Sequence, residues 1–203
     1  MPLLARPAQK PPRPRIAVRA MAPIAIVEAC VEVKLAGTLV VALPEGALWV
    51  EAARALIVSG LHFEKGSSFA CGGQMLPPYD TRASLKRLTA LVDAHAPDIV
   101  VSLGDSFHDG GGPARLSDED REQLQALIGR CDWVWVEGNH DGKASATLGG
   151  AVREVLRLGA LTLRHEPSAG EALGEIAGHL HPCARVAGRG RSVRRRCFAT
   201  DGA

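Results

Sequence analysis

The sequence predicts an α/β fold whose sheet layers are covered by helices, and three observations predict it. The chain has 203 residues, 46% hydrophobic and 23% charged, the size and balance of one globular domain with a single core. Its middle alternates apolar, β-favouring runs with stretches whose apolar residues recur at helical spacing. Hairpin-like β text precedes and follows that middle.

In chain order, residues 1–20 are rich in Pro and Arg, lack periodicity and read as disordered. Met21 opens the first strand-like text, so residues 1–22 read as a basic arm or as a start assigned too early, and residues 23–203 as one domain. Short β runs follow at 31–35, 38–42, 47–50 and 55–59, the first two joined by a turn at Ala36-Gly37. Asp80 is placed to cap a helix that carries Leu85, Leu88, Leu91 and Val92 on one face and stops at Pro97. Ser117, with Asp120 three residues on, is a variant capping box ahead of Leu124, Leu127 and Ile128. Further strands are expected at 99–103, 133–136, 161–163 and 175–177, and the alternation of Trp133 and Trp135 gives one of them a large apolar face for core packing.

Several classes are excluded. No apolar stretch approaches the ~18 residues of a bilayer span. The five cysteines are odd in number and form no C-x-x-C pair, which excludes a disulfide framework or zinc knuckle and suits a reducing compartment. Glu28 and Glu32 interrupt the first apolar stretch, against a secretory signal, so the cytoplasm is the expected location.

The net charge of +2 hides a polarity. Residues 1–20 hold five bases and no acid, and residues 182–200 hold six arginines and none. Setting these and Asp201 aside leaves 13 bases against 21 acids between Met21 and His181. An acidic body suits cations and basic flanks suit a polyanion.

Histidines and carboxylates collect just beyond the apolar runs. His62 follows 55–59, Gly104-Asp105 follows 99–103, Gly138-Asn139-His140-Asp141 follows 133–136, His165 follows 161–163, and Gly178-His179-Leu180-His181 follows 175–177. Ligands of open α/β sheets bind at the carboxyl ends of strands, so five motifs converge on one rim. Imidazoles with a carboxylate and an amide oxygen suit Mn²⁺, Fe²⁺ or Zn²⁺. If the last motif continues its strand, His179 and His181 face the same side and each can serve one of two neighbouring cations.

In this order the motifs resemble the calcineurin-like metallophosphoesterases, whose pattern runs D-x-H, G-D, G-N-H-D/E, H and G-H-x-H. More narrowly, residues 61–70 (LHFEKGSSFA), 76–82 (LPPYDTR), 103–109 (LGDSFHD), 164–167 (RHEP) and 188–198 (GRGRSVRRRCF) resemble the ligase-associated DNA-damage-response phosphoesterases. The resemblance implies a four-layer α-β-β-α sandwich and a divalent-metal-dependent phosphodiesterase or endonuclease acting on DNA. It also implies a preference for Mn²⁺ and an association with DNA ligase and helicase repair proteins. Residue by residue, it makes Asp105 the carboxylate shared by two metals, with His62 and His181 on the first and Asn139, His165 and His179 on the second. His140 would face the leaving oxygen, with Asp141 either orienting its ring or capping a helix.

Two departures stand out. Gly60 occupies the place of the family's first Asp, so the first metal loses an oxygen ligand unless water or Glu64 supplies one. Asp201-Gly202 signals a turn with no returning strand, so the domain reads as truncated at its C-terminus. Arg189, Arg191, Arg194 and Arg195 are candidate phosphate contacts or a solvated edge; on a strand Arg189, Arg191 and Arg195 point one way and Arg194 and Arg196 the other. His108 and Asp109 support the centre or are polar loop residues. The rival functions are a small-nucleotide phosphoesterase and a metal-poor, inactive nucleic-acid-binding relic.

Overall fold

The computed structural model describes residues 30–77, 79–140, 147–170, 172–188 and 190–201. The basic arm at 1–22, Asp141 and Arg189 lie outside them. β1 (Val31–Leu35) and β2 (Thr38–Ala42) pair antiparallel across Ala36-Gly37, whose φ values of 44° and 81° supply the doubly left-handed turn of a two-residue hairpin. β3 (Leu48–Val50) and β4 (Ala55–Val58) continue antiparallel. β5 (Ile99–Leu103), β6 (Asp132–Val136) and β7 (Ala151–Arg153) then add in parallel, completing a seven-stranded sheet in chain order.

Parallel pairing needs crossovers, and the helices supply them. α1 (Lys65–Cys71) and α2 (Asp80–His95) link β4 to β5, while α3 (Gly112–Arg115) and α4 (Asp118–Ile128) link β5 to β6. Strand alternation splits the core in two. Leu56, Val58, Val100, Trp133 and Trp135 meet Leu85, Leu88 and Val92 of α2 and Leu124 and Leu127 of α4. Ala55, Ile57, Val101, Leu103, Val134 and Val136 face the opposite way, against Leu161, Leu163 and Ile176.

Those last residues belong to a second sheet, β8 (Val155–Leu158), β9 (Leu161–Arg164) and β10 (Glu175–Ala177), in which β9 and β10 run parallel. The described residues therefore stack helix on sheet on sheet, the architecture of a metallophosphoesterase sandwich; none of the described helices covers the outer face of the small sheet. β11 (Cys183–Gly188) and β12 (Arg191–Arg196) form a separate hairpin whose described side chains are all exposed.

Two capping expectations resolve differently. Ser117 accepts from the Asp120 backbone N–H and starts α4 as expected. Asp80 does not cap its own helix: its Oδ2 accepts from the backbone N–H groups of Lys65 and Gly66, capping α1 instead. A carboxylate satisfies whichever orphan donors the tertiary fold brings within reach.

Candidate metal centre

Each chemical motif sits just past the C-terminal end of a strand that has a parallel neighbour: His62 after β4, Asp105 after β5, Asn139 and His140 after β6, His165 after β9, and His179 and His181 after β10. The loops after β4 and β5 are zipped together beyond the sheet. The His62 N–H donates to Asp105 O at 3.0 Å, the Phe63 N–H to Ser106 O at 2.8 Å and the His108 N–H to Phe63 O at 2.9 Å. Phe63 and Phe107, both fully buried and 5.6 Å apart between ring centroids, anchor these loops in the core below.

The backbone here is strained. Of the non-glycine residues with positive φ, His62 (46°), Asp105 (52°), His179 (59°) and His181 (45°) all belong to the candidate centre. Such conformations cost of order 1–2 kcal/mol each. At His62 and Asp105 they are held because those two loops cannot relax without breaking the zipper. His179 and His181 are therefore not on a continuing strand, contrary to expectation; a loop with left-handed turns sends them to different partners. Gly104, at φ 74°, passes so close to the His165 ring that a side chain there would collide with it.

Two donor groups result: His62, Asp105 and His181, and Asp105, His165 and His179. Buried Asp105 belongs to both. Its Oδ1 lies 3.5 Å from His165 Nε2 and accepts from the His140 backbone N–H at 3.3 Å, while its Oδ2 lies 3.9 Å from His181 Nε2. The two oxygens of one carboxylate thus face two different sites.

The second group fits a cation closely. Asn139 Oδ1 is 2.9 Å from His165 Nε2 and 3.2 Å from His179 Nδ1, and those two nitrogens are 3.1 Å apart. Donors about 2.1 Å from one metal stand roughly 3.0–3.4 Å from each other, by the geometry of octahedra and tetrahedra. His165 Nδ1 donates to Leu103 O at 2.9 Å, so in the neutral ring Nε2 is a lone pair, facing the lone pair of Asn139 Oδ1. Two acceptors at hydrogen-bond distance repel unless a cation lies between them.

The first group is looser. The rings of His62 and His181 stack at 5.2 Å, and His62 Nδ1 is buried with no hydrogen-bond partner among the described residues. Burial, only partly opposed by Asp105, lowers the His62 pKa to about 4, so its lone pair is available at neutral pH. A Cβ built on Gly60 would meet His181 Cε1 at 3.4 Å and His62 Nε2 at 3.6 Å, so a side chain there would enter this group. Glu64 does not replace it. Its carboxylate is buried and accepts from the Thr81 hydroxyl at 2.9 Å and the Ser67 hydroxyl at 2.6 Å, on the helix side of the loop.

His140 stands exposed at the rim, its ring 6.1 Å from that of His62 and stacked at 6.2 Å on that of His108. Asp109 turns away from the centre. The Ser68 hydroxyl and the Arg115 guanidinium hold its carboxyl at about 2, well below the usual range. Of the candidate phosphate contacts, Arg191 and Arg195 share one face of the hairpin and Arg194 takes the other. Register adds Arg185 to the face of Arg194 and Arg196, a member that sequence reasoning missed because it needs the pairing of Arg185 with Arg194.

Among the described residues no helix is long and apolar enough to cross a membrane. No curated protein matches the chain. Among solved structures it is similar to the nuclease MPE of Pseudomonas putida, with a TM-score of 0.66 and 28% identity over 84% of this chain and 81% of that one. The calcineurin-like phosphoesterase family matches over residues 53–186, more than half the chain and all of the donor residues above. The chain therefore belongs to the calcineurin-like phosphoesterase family and is a metal-dependent hydrolase of phosphoric esters.

Proposed function

We propose that this protein is a nuclease that hydrolyses phosphodiester bonds in DNA, with two divalent cations, Mn²⁺ preferred, held in a single domain spanning residues 23–203. The observation that carries the reading is Asp105, whose two carboxylate oxygens face two separate imidazole groups. His62, Asp105 and His181 would hold one cation, and Asp105, Asn139, His165 and His179 the other. When bound, such a pair polarises the phosphoryl oxygens and lowers the pKa of water at the reacting phosphorus.

The chain's own groups supply the rest. Asp105 fixes the spacing of the two sites and, through the His140 backbone N–H, the position of the His140 loop. His140 holds a proton at the rim and delivers it to the leaving oxygen. Asp141 is assigned to orient that ring. The hairpin arginines contact phosphates along the strand and set its register without reading sequence. The similarity to a nuclease supports a nucleic-acid substrate over a small nucleotide. The DNA-repair role, the ligase and helicase partners and the cytoplasmic location rest on the motif resemblance and composition alone.

Gly60 favours one second reading, a nucleic-acid-binding relic whose first site stays empty. Mn²⁺-dependent hydrolysis of methyl 4-nitrophenyl phosphate and of a single-stranded oligodeoxynucleotide separates the two. The nuclease reading expects both to be cleaved and both to stop on chelation; binding of the oligonucleotide without cleavage of either substrate at saturating Mn²⁺ supports the relic.

A further inference from the structure

An open surface recess of about 240 Å³ lies between the C-terminal turn of α1 and the loop after β5, lined by Ser68, Phe69, Gly72, Gln74 and His108. It adjoins the metal centre without being part of it. The His108 ring forms the shared wall: it lies 5.9 Å from the His62 ring, stacks at 12° on His140, and meets Phe69 at 5.5 Å and 32° on the far side.

Resting on the nuclease reading, we propose that this recess is a subsite for one unpaired nucleobase of the nucleotide next to the scissile phosphodiester. The lining decides the ligand class. It contains no lysine, arginine or carboxylate, so it is not built to hold a phosphate. It offers instead the Phe69 and His108 rings for stacking and the Gln74 side-chain amide as a polar partner for a base edge, while the Ser68 hydroxyl is already engaged with Asp109. Its volume lies below the roughly 300 Å³ at which drug-sized pockets begin, which suits one planar ring system.

The walls are preformed. The Gln74 N–H donates to Phe69 O at 2.9 Å, closing the turn, and Arg115 ties α1 to the next loop by donating to Ser67 Oγ at 3.0 Å and to Asp109 Oδ2 at 2.8 Å. Little ordering is therefore required on binding. Beyond Gln74 the chain exposes Met75 (85%) and Tyr79 (71%), apolar surface that a base covers better than a phosphate does.

The test uses three esters with the same leaving group: methyl 4-nitrophenyl phosphate and the 5′- and 3′-(4-nitrophenyl phosphate) esters of thymidine. The wild-type protein should prefer one thymidine ester over the methyl ester, and the two isomers identify the side on which the base lies. Phe69→Ala should remove about 5- to 150-fold of that preference, the worth of one stacked base, and leave the methyl ester unchanged. Phe69→Leu, which keeps apolar bulk without the ring, should lose most of it as well, and Phe69→Tyr should restore it. A readout independent of catalysis is the emission of 2-aminopurine in a short single-stranded oligonucleotide, quenched on binding to the wild type and not to Phe69→Ala. Equal rates on all three esters, or a preference and quenching that survive in Phe69→Ala, would overturn the subsite while leaving the nuclease reading intact. Hydrolysis of the methyl ester with no action on either thymidine ester or on the oligonucleotide would overturn both.

Discussion

The loops at the strand ends and the β11–β12 hairpin adjoin in the chain, with only Pro182 between His181 and Cys183, yet they are held by opposite means. The loops after β4 and β5 are cross-linked by backbone hydrogen bonds that hold His62 and Asp105 in left-handed conformations, and Phe63 and Phe107 anchor them from beneath. The hairpin has no buried side chain among its described residues and pairs Arg185 directly with Arg194, a like-charge opposition that weakens a ladder. An isolated two-stranded hairpin is marginal in water. These two loops are thus organised by the fold before any ligand arrives, whereas on the proposed reading the hairpin would gain stabilisation when a polyanion covers the arginines.

Chemistry should therefore fail at the loops and binding at the hairpin. Among changes that leave the metal donors intact, the largest effect is expected from His140→Ala, which on the proposed reading removes a proton donor worth roughly 10²- to 10⁴-fold in turnover. Bound metal, measured on the same preparation, should not change, because His140 contributes only its backbone N–H to Asp105. Metal lost in parallel with activity would place the ring among the ligands.

Gly60→Asp should act more weakly and in the opposite direction. The added carboxylate enters the looser group and should raise hydrolysis at limiting Mn²⁺ by roughly 10- to 100-fold, the scale on which supporting groups alter a metal site. The variant must keep φ near 58° at that position, which costs about 1 kcal/mol of apo stability even for Asp, one of the residues that best tolerates it. A lower melting temperature without metal, reversed by Mn²⁺, is the expected pattern. Coincident Mn²⁺ titrations for both proteins would mean that the site is already complete.

The smallest effect on catalysis is expected from the hairpin. Replacing Arg185, Arg194 and Arg196 by Gln should flatten the slope of log K against log salt by about 2 for single-stranded DNA if each arginine meets a phosphate, and weaken binding equally for all sequences. Replacing Arg191 and Arg195 on the opposite face is the control for orientation. Hydrolysis of methyl 4-nitrophenyl phosphate should be unaffected by either set. If the second set flattens the slope and the first does not, the other face meets the strand.

Much of this was legible in the sequence, and the exceptions have physical reasons. The order of motifs placed every donor at a strand end, because apolar runs bounded by glycine and polar residues mark where a buried strand stops. Trp133 and Trp135 turned inward together, as alternation requires. The orientation of His179 and His181 was not legible, since alternation assumes an extended chain and the structure turns left-handed at both. Asp80 capped a helix other than its own, and Glu64 was drawn to Thr81 and Ser67; both depend on contacts distant in sequence. The base-sized recess was hidden for the same reason. Phe69 and His108 are 39 positions apart, and only the packing of α1 against the next loop makes them one wall.

The measurement that tests the account most directly is the number of Mn²⁺ ions bound per chain at saturation, for the wild type and for Asp105→Asn. A carboxylate whose two oxygens face two donor groups should permit two ions per chain, and its neutral amide, lacking the shared negative charge, should leave at most one, with hydrolysis abolished. Two ions bound to Asp105→Asn with most of the hydrolysis retained would contradict the shared-carboxylate centre.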